Sequence, residues 1–434
     1  MKLLNIFFIS ALFLLAQDLK GQDFSLANVS KTKAEIEKLQ NNAFDLTTLL
    51  PKGYVVNGTV DYTDIIQKGL NKYKSVKMPN FPVLINFKGL TINSNSDVFF
   101  QKQSSLIMLP NDRSTYAILD IQRKENVKIY NANLIGDRFQ HKGKIGEWGM
   151  GIRIVESRNV VFYNPNVRNT WGDGIYLGDD NVNSVHNENI FILNCSIISS
   201  RRNGISIISG ENVFIQDGKI SKSDGTMPKA GLDIEPNNGS DVINNIFVNN
   251  LETSNEGAGV MILLNKLVGR AGKVNISLNG HSDNGGSMGL YISNLETSAR
   301  RLVGTISIKN SNYINNKTNG IFIENYASIN TPKLTISDSK IKNSNSSNNK
   351  SPRWGAGISF GRDSRKAIFN KMGNVQIKNI AIVDNRQYPL MRAGLSFDDD
   401  NGSNFENVNV EGIEVQGIKT SDQFYLKAGV NLKR

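Results

Sequence analysis

One four-residue pattern, glycine followed by an apolar residue, any residue and a second apolar residue, limits what this chain can fold into more than any other feature. Nine copies follow one another at near-regular spacing, beginning at Gly151, Gly174, Gly204, Gly231, Gly259, Gly289, Gly320, Gly357 and Gly394. The intervals are 23, 30, 27, 28, 30, 31, 37 and 37 residues, so a coil of nearly constant length carries loops of variable length. Self-similarity at this period marks a repeat architecture rather than one globular core. A second pattern, Asn-apolar-x-apolar, falls between the copies at Asn126, Asn159, Asn189, Asn212, Asn245 and Asn374. Each coil therefore holds at least two short strands.

Alternation at period two places the apolar pair of each copy on one face of its strand and the middle residue on the other. The inward pairs run from Ile152/Ile154 through Ile205/Ile207 and Leu232/Ile234 to Leu395/Phe397, and stacked they predict a continuous core. Strands this short, separated by Asn, Gly and Ser turns, leave no room for repeated helices. Unequal coil lengths argue against a propeller. One helix is expected ahead of the coils, over residues 61–74, with Ile65, Ile66, Leu70 and Tyr73 on one face. It would cap the open end, where strand edges and bare core are otherwise exposed. The expected fold class is all-β: a right-handed parallel β-helix with a short N-terminal capping helix.

Residues 1–21 read as a signal peptide: Met1-Lys2, a largely apolar stretch from Leu3 to Ala16, and Gly21 ahead of a cut before Gln22. The stretch is too short to span a bilayer, and nothing later is apolar enough to do so. Residues 22–60 are polar and weakly patterned and form a leader of uncertain order; residues 61–434 form the β-helix domain. The protein is expected to be secreted or periplasmic. Its one cysteine, Cys195, excludes a disulfide within the chain, so stability rests on burial. The formal net charge is +11, falling to +10 when Lys2, Lys20 and Asp18 leave with the signal peptide. In an exported protein that excess favours an anionic partner. The basic residues are spread along the chain with no dense run, which argues against nucleic acid.

The middle residues of the repeat, Arg153, Tyr176, Ser206, Asp233, Met261, Tyr291, Phe322, Ser359 and Ser396, form an outward column with neighbours ~4.8 Å apart. A linear polymer laid along it would cross several coils, which makes the column a natural sugar track. Its first four members are polar, and the loops beside them are the richest in chemistry: Asp137 to His141, Glu147-Trp148, Asn169 to Asp180, Arg201-Arg202 and Asp233 to Asn237. Indole rings stack on sugars, arginines clamp carboxylates and acids move protons. The catalytic candidates are Asp173, Arg202, Asp233 and Glu235; His141, Trp148, Arg153, Tyr176 and Arg201 are the substrate-binding candidates. Asp233 and Glu235 share the outward face with Cα atoms ~6.5–7 Å apart, a spacing that suits the ~6.5–9.5 Å carboxyl separation of inverting glycosidases. Asp173 has a second reading as a turn cap, like Asn203 and Asn319 at the same place in their coils. Asp179-Asp180-Asn181 reads either as a solvated turn or as a calcium site.

The glycine-led β-branched strands, the Asn-rich turns and the segment from Lys77-Met78-Pro79 to Leu90-Thr91-Ile92 resemble the pectate-lyase-like superfamily of right-handed β-helices, over roughly residues 60–430. The resemblance implies the fold; activity varies widely across the superfamily, from lyases, hydrolases and epimerases to phage tailspikes and non-catalytic surface proteins. Asn169-Thr170, Asp173-Gly174, Gly178-Asp179-Asp180 and Asn203-Gly204 partly resemble the polygalacturonase branch. Here, however, the Asp-Gly and Gly-Asp-Asp elements share one coil, Asn203 stands for the histidine, and no Arg-x-Lys follows. The lyase branch implies instead an arginine base, Arg201 or Arg202, with calcium or another cation neutralising a uronate. Residues and resemblance together predict cleavage of an acidic polysaccharide by a hydrolase or a lyase, with a non-catalytic glycan-binding or surface-attachment solenoid as the alternative.

Overall fold

A computed structural model describes residues 29–180, 185–267, 271–294, 301–362, 371–398 and 405–433. The signal peptide expected over residues 1–21 and Asn181 lie outside these. Every strand pairing is parallel, and the strands form two stacks that run the length of the molecule. A 12-stranded sheet contains all nine glycine-led strands side by side, and a 23-stranded sheet forms the rest of the coil wall. In the middle coils this second sheet contributes two strands per turn, such as Asn187–Leu193 and Ser196–Ile198, so the coil has three faces. Further on, the two strands fuse into long bent ones, Lys333–Lys342, Met372–Val383 and Phe405–Gln416.

Three columns explain why this sequence winds so regularly. The inward pairs of the glycine-led strands are all buried, and with the apolar residues of the other sheet they make one core through the length of the solenoid. The repeat glycine is required by close approach. A Cβ on Gly174 would lie 2.6 Å from the carbonyl oxygen of Gly204, and one on Gly204 equally near that of Gly231, so any side chain there would push neighbouring coils apart. The asparagines of the second pattern sit in the left-handed region, with φ of 53–57° from Asn126 to Asn245, which Asn tolerates better than most residues. Each donates its side-chain amide to the Asn one coil earlier: Asn159 to Asn126, Asn189 to Asn159, Asn212 to Asn189 and Asn245 to Asn212, at 2.9–3.1 Å. The Asn turn therefore also bonds coil to coil.

The expected capping helix is present. Helix α2 (Thr63–Lys72) buries Ile66 and Leu70 against the first coil, and Gln67 bonds both the N–H and the carbonyl of Thr91 on the edge strand Leu90–Thr91. The sheet edge is thus paired by a side chain instead of a strand. Ahead of it, helix α1 (Lys33–Asn41) opens on a capping box between Thr32 and Glu35, and Phe44–Asp45 adds a strand beside Ser75–Lys77. Val29, Ile36 and Ala43 pack on an aromatic stack, Phe99, Tyr130 and Tyr163, on the outer face of the larger sheet, and the Tyr163 hydroxyl donates to the Val29 carbonyl. Cys195 is buried as a free thiol. Among the described residues no helix is long and apolar enough to cross a membrane.

Candidate active site

The register of the 12-stranded sheet reproduces the predicted column: Arg153 lies beside Tyr176, then Ser206, Asp233, Met261, Tyr291, Phe322, Ser359 and Ser396. Its exposure differs from an open track. Ser206, Asp233, Phe322, Ser359 and Ser396 are almost fully buried, Ser206 and Asp233 against the turn that holds Arg202 and Asn203 and Phe322 against Trp354, and Arg153, Tyr176 and Tyr291 are half-buried. Strand periodicity gives the direction of a side chain, but it says nothing of what a loop lays on top.

Asp173, Arg202, Asn203, Ser206 and Asp233 form one network. Asp173, completely buried, accepts from the Asn203 backbone N–H (2.9 Å), the Ser206 hydroxyl (2.9 Å) and Arg202 Nη1 (3.0 Å). Burial raises its pKa despite the guanidinium beside it. Asn203 donates its amide to Asp233 Oδ2 (2.8 Å) and accepts the Ala230 N–H (2.9 Å), so the residue that precedes the repeat glycine ties three coils together. Asp233 is also completely buried, and its Oδ1 has no partner. Burial first, and the neighbouring Glu235 second, push Asp233 up to about 8. Glu235 stands just past the strand Leu232–Ile234, half-buried; burial raises it too, while Arg202 and Lys266 pull it down. Burial lowers Arg202, but Asp173, Asp233 and Glu147 outweigh it and hold the cation firmly charged. Glu147 Oε1 lies 3.9 Å from Arg202 Nε. All four catalytic candidates are thus brought together, with Arg202 at the centre of four carboxyls.

The binding candidates fall into two groups. Tyr176 stands in this neighbourhood; burial first and Asp173 second push its phenol up to about 12. Arg153 is held bidentately by Asp120 (2.8 and 3.0 Å), its neighbour one coil earlier. Asp120 escapes a search for the glycine pattern because Ile118 occupies the glycine place of its strand, Thr115–Gln122. His141 and Arg201 sandwich Trp171: the imidazole stacks at 3.9 Å and the guanidinium at 3.8 Å. His141 is fixed by Asp137 (2.8 Å), which also takes the Tyr116 hydroxyl, and Arg201 donates to the Gly146 carbonyl (2.9 Å). This layered stack supports the loop on one flank of the carboxyl cluster. Trp148 remains 48% exposed, with Phe139 and Met227 even more open on nearby loops.

In the acidic turn after Tyr176, Asp180 is paired with Arg123 and its N–H donates to Glu156. Among the described residues no three His, Cys, Asp or Glu side chains converge to hold a metal.

No family model matches the chain. Among solved structures it superposes on the A-module of the mannuronan C-5 epimerase AlgE4 of Azotobacter vinelandii with a TM-score of 0.64, over 90% of this chain and 100% of that one, at 11% identity. The exopolygalacturonase of Thermotoga maritima matches with a TM-score of 0.56, over 91% of this chain and 96% of that one, at 12% identity. The chain has the parallel β-helix fold that these structures share. Among curated proteins, the uncharacterised YclG of Bacillus subtilis is 28% identical over 200 residues, 40% of this chain and 34% of YclG. The chain spans about a third of the length of the curated relatives it matches.

On this parallel β-helix the 12-stranded sheet is the frame that carries the middle residues and the loops beside them. Two parts of the present arrangement were not singled out from sequence: Asn203 as the bond between the two aspartates, and Trp171 as the centre of the His-Trp-Arg stack. Asn203 looked like a turn residue, and it is one; its second role depends on which coil lies next to it.

Proposed function

We propose that this protein is an exported carbohydrate-active β-helix that hydrolyses an acidic polysaccharide, with Asp233 and Glu235 as its acid–base pair. The observation that carries the reading is two interacting carboxyls beside Arg202, one sealed and protonated at neutral pH, the other half open to solvent. Such a pair divides its labour by environment. The cover that seals Asp233 must move aside for substrate. The unpartnered Oδ1 of Asp233 then gives a proton to the oxygen of the leaving sugar, Glu235 takes a proton from the water that attacks the anomeric carbon, and solvent exchange through the opened cover resets both. Arg202, held in place by Asp173, steadies the negative charge as it passes from Glu235 to Asp233. Arg201 and Arg202 are each committed to neighbouring protein groups, which supports the acids over an arginine base. Two structures of similar fold are named for mannuronan and polygalacturonate, and with the net charge of +11 these names support a polyuronate substrate.

Turnover needs Glu235 ionised and Asp233 protonated. Since burial raises Glu235 and Asp233 lies at about 8, the acid limb of the activity profile should be shifted upward from that of a free glutamate, and activity should fall as Asp233 loses its proton near pH 8. The test is a panel of acidic glycans with analysis of product anomers and ends. Asp233→Asn and Glu235→Gln should each lower turnover roughly 10²–10⁴-fold while sparing binding. Unsaturated uronic ends absorbing in the near ultraviolet, or full activity in both variants, would overturn the assignment. The complete burial of Asp233 favours a second reading, a non-catalytic glycan-binding solenoid, under which Asp233→Asn raises thermal stability and no glycan of the panel is cut.

A further inference from the structure

Two loops hold large apolar side chains out in water. One, between the strands Asn133–Ile135 and Trp148–Val155, carries Phe139 and Ile145, 71% and 83% exposed, and ends at Trp148; the other, between Lys219–Ser221 and Leu232–Ile234, carries Met227, 71% exposed. A side chain that open touches almost nothing, so each stands clear of the surface as a projection. Both loops are nevertheless firmly anchored. Arg138, at the base of the first, donates to the Ser200 and Asp224 carbonyls (3.1 and 2.9 Å) and pairs with the Asp224 carboxylate, which ties the two loops together. His141 lies between Tyr116 and Trp171 and is bonded to Asp137, the Lys142 N–H donates to the Asn111 carbonyl (2.8 Å), and the Gly146 carbonyl accepts from Arg201. Lys142 and Lys144, exposed between Phe139 and Ile145, have no acidic partner among the described residues. The loops' own acids beyond the anchor, Glu147 and Asp224, are turned to Arg202 and Arg138, which leaves the crest positive.

We propose that these two loops form a docking surface for an anionic phospholipid bilayer, with Ile145, Phe139 and Met227 entering the interface and Lys142 and Lys144 meeting the headgroups. The inference does not depend on the glycan chemistry; it adds a second partner, met by loop crests and not by the column. An anchored loop cannot fold its apolar crest back out of water, and exposed apolar groups gathered in this way mark a contact surface. Separate projections suit a fluid interface, which each side chain enters on its own, better than a second protein, whose standard contact needs a continuous patch of about 800 Å² on each side. Basic and apolar residues share the crest, so attraction to lipid phosphate and apolar burial act at the same place. The attraction is screened by salt, whereas the burial is not. Trp148, where the loop re-enters the sheet, then stands at headgroup level, a position that indole rings favour.

The experiment is co-sedimentation of the full chain with vesicles of phosphatidylcholine alone and of phosphatidylcholine mixed with an equal part of phosphatidylglycerol, at low and at high salt, with tryptophan emission recorded alongside. It compares wild type, Ile145→Ser, Ile145→Leu, Phe139→Ser and the double variant Lys142→Gln/Lys144→Gln. All of these positions are exposed, so melting curves should match the wild type. The wild type should pellet with the mixed vesicles and much less with phosphatidylcholine alone, and its emission should move to the blue as Trp148, the most exposed of the tryptophans, leaves water. Ile145→Ser and Phe139→Ser should each weaken partitioning roughly five-fold at both salt concentrations, and Ile145→Leu should restore it. The lysine double variant should lose roughly ten-fold on the mixed vesicles at low salt and little at high salt. No pelleting of the wild type with the mixed vesicles, or undiminished pelleting of both serine variants, overturns the surface. So does a dimer, seen by sedimentation velocity without vesicles, that Ile145→Ser abolishes, because the crests would then belong to a contact between copies.

Discussion

The coils from Asp120 to Asp233 and those from Met261 to Ser396 share one backbone and carry different chemistry. Inward they are alike: Ile205/Ile207 and Ile321/Ile323 occupy equivalent, fully buried places in the same register. Outward, the first region sets Asp120 against Arg153 and Asp173 against Arg202, with Asp233 sealed beside them, whereas the second continues as Met261, Tyr291 and Phe322, with the ion pair Arg353–Glu324 at its edge. The difference teaches that the inward residues fix the coil and leave the outward positions free to carry a charged site in one stretch and an aromatic cluster in another.

The largest test asks whether the inward side is equivalent in both regions. Ile205→Asp and Ile321→Asp should each prevent folding, since an unpaired charge in the core costs several kcal/mol or more. Soluble yield and far-ultraviolet circular dichroism would show it, and a folded Ile321→Asp would mean that the second region is not part of the same cooperative core.

Breaking the two ion pairs should separate the regions. Arg202→Ala leaves Asp173 buried without its cation and should cost about 3–5 kcal/mol. Arg353→Ala leaves Glu324 mostly buried but still bonded by the Tyr291 hydroxyl, and because the lost contact is longer, 3.7 Å against 3.0 Å, it should cost less, about 1–3 kcal/mol. Denaturant titration of both variants checks the ratio; equal losses would show that the two regions are sealed alike.

Each region also buries an acid whose proton matters. Asp283, in the core beside Thr253 and His281, accepts from Thr253 (2.7 Å) and Asn316 (2.6 Å), and burial pushes it up to about 7, as burial pushes Asp233 to about 8. Both are raised above the unfolded carboxylate value. Their contribution to stability is therefore fully present in acid, below the unfolded pKa, and is lost as pH rises through 7 and then 8. Melting temperature should fall between pH 5 and pH 9, with Asp283→Asn regaining on the order of 2–3 kcal/mol at the alkaline end. A flat profile would place water or an unseen cation beside these acids.

The smallest effect is electrostatic. Affinity for polyuronates should exceed that for neutral glycans at low salt and decline several-fold as ionic strength shortens the screening length from about 10 Å at 0.1 M to about 3 Å at 1 M. Equal binding of neutral and acidic polymers at low salt would remove the anionic partner from the proposal.

By itself the sequence determined the coil. Nine glycine-led strands, their inward pairs, their shared register and the capping helix were all legible, because each follows from a short-range period. A side chain alternates in or out every residue, and a repeat glycine is needed wherever backbones of neighbouring coils meet. Nearness along the chain also put Asp233 beside Glu235 and Arg202 beside the Asn203 turn. Only the tertiary structure decided what surrounds them: that Arg202 turns to Asp173, that Asn203 bonds Asp233, that Arg201 lies on Trp171, and that most of the column is buried. These contacts join residues about 30 positions apart in sequence, and which of them meet depends on loop lengths that vary from coil to coil. Whether a carboxyl is sealed, and so whether it keeps its proton, is a property of that covering, and no residue pattern along a single strand encodes it.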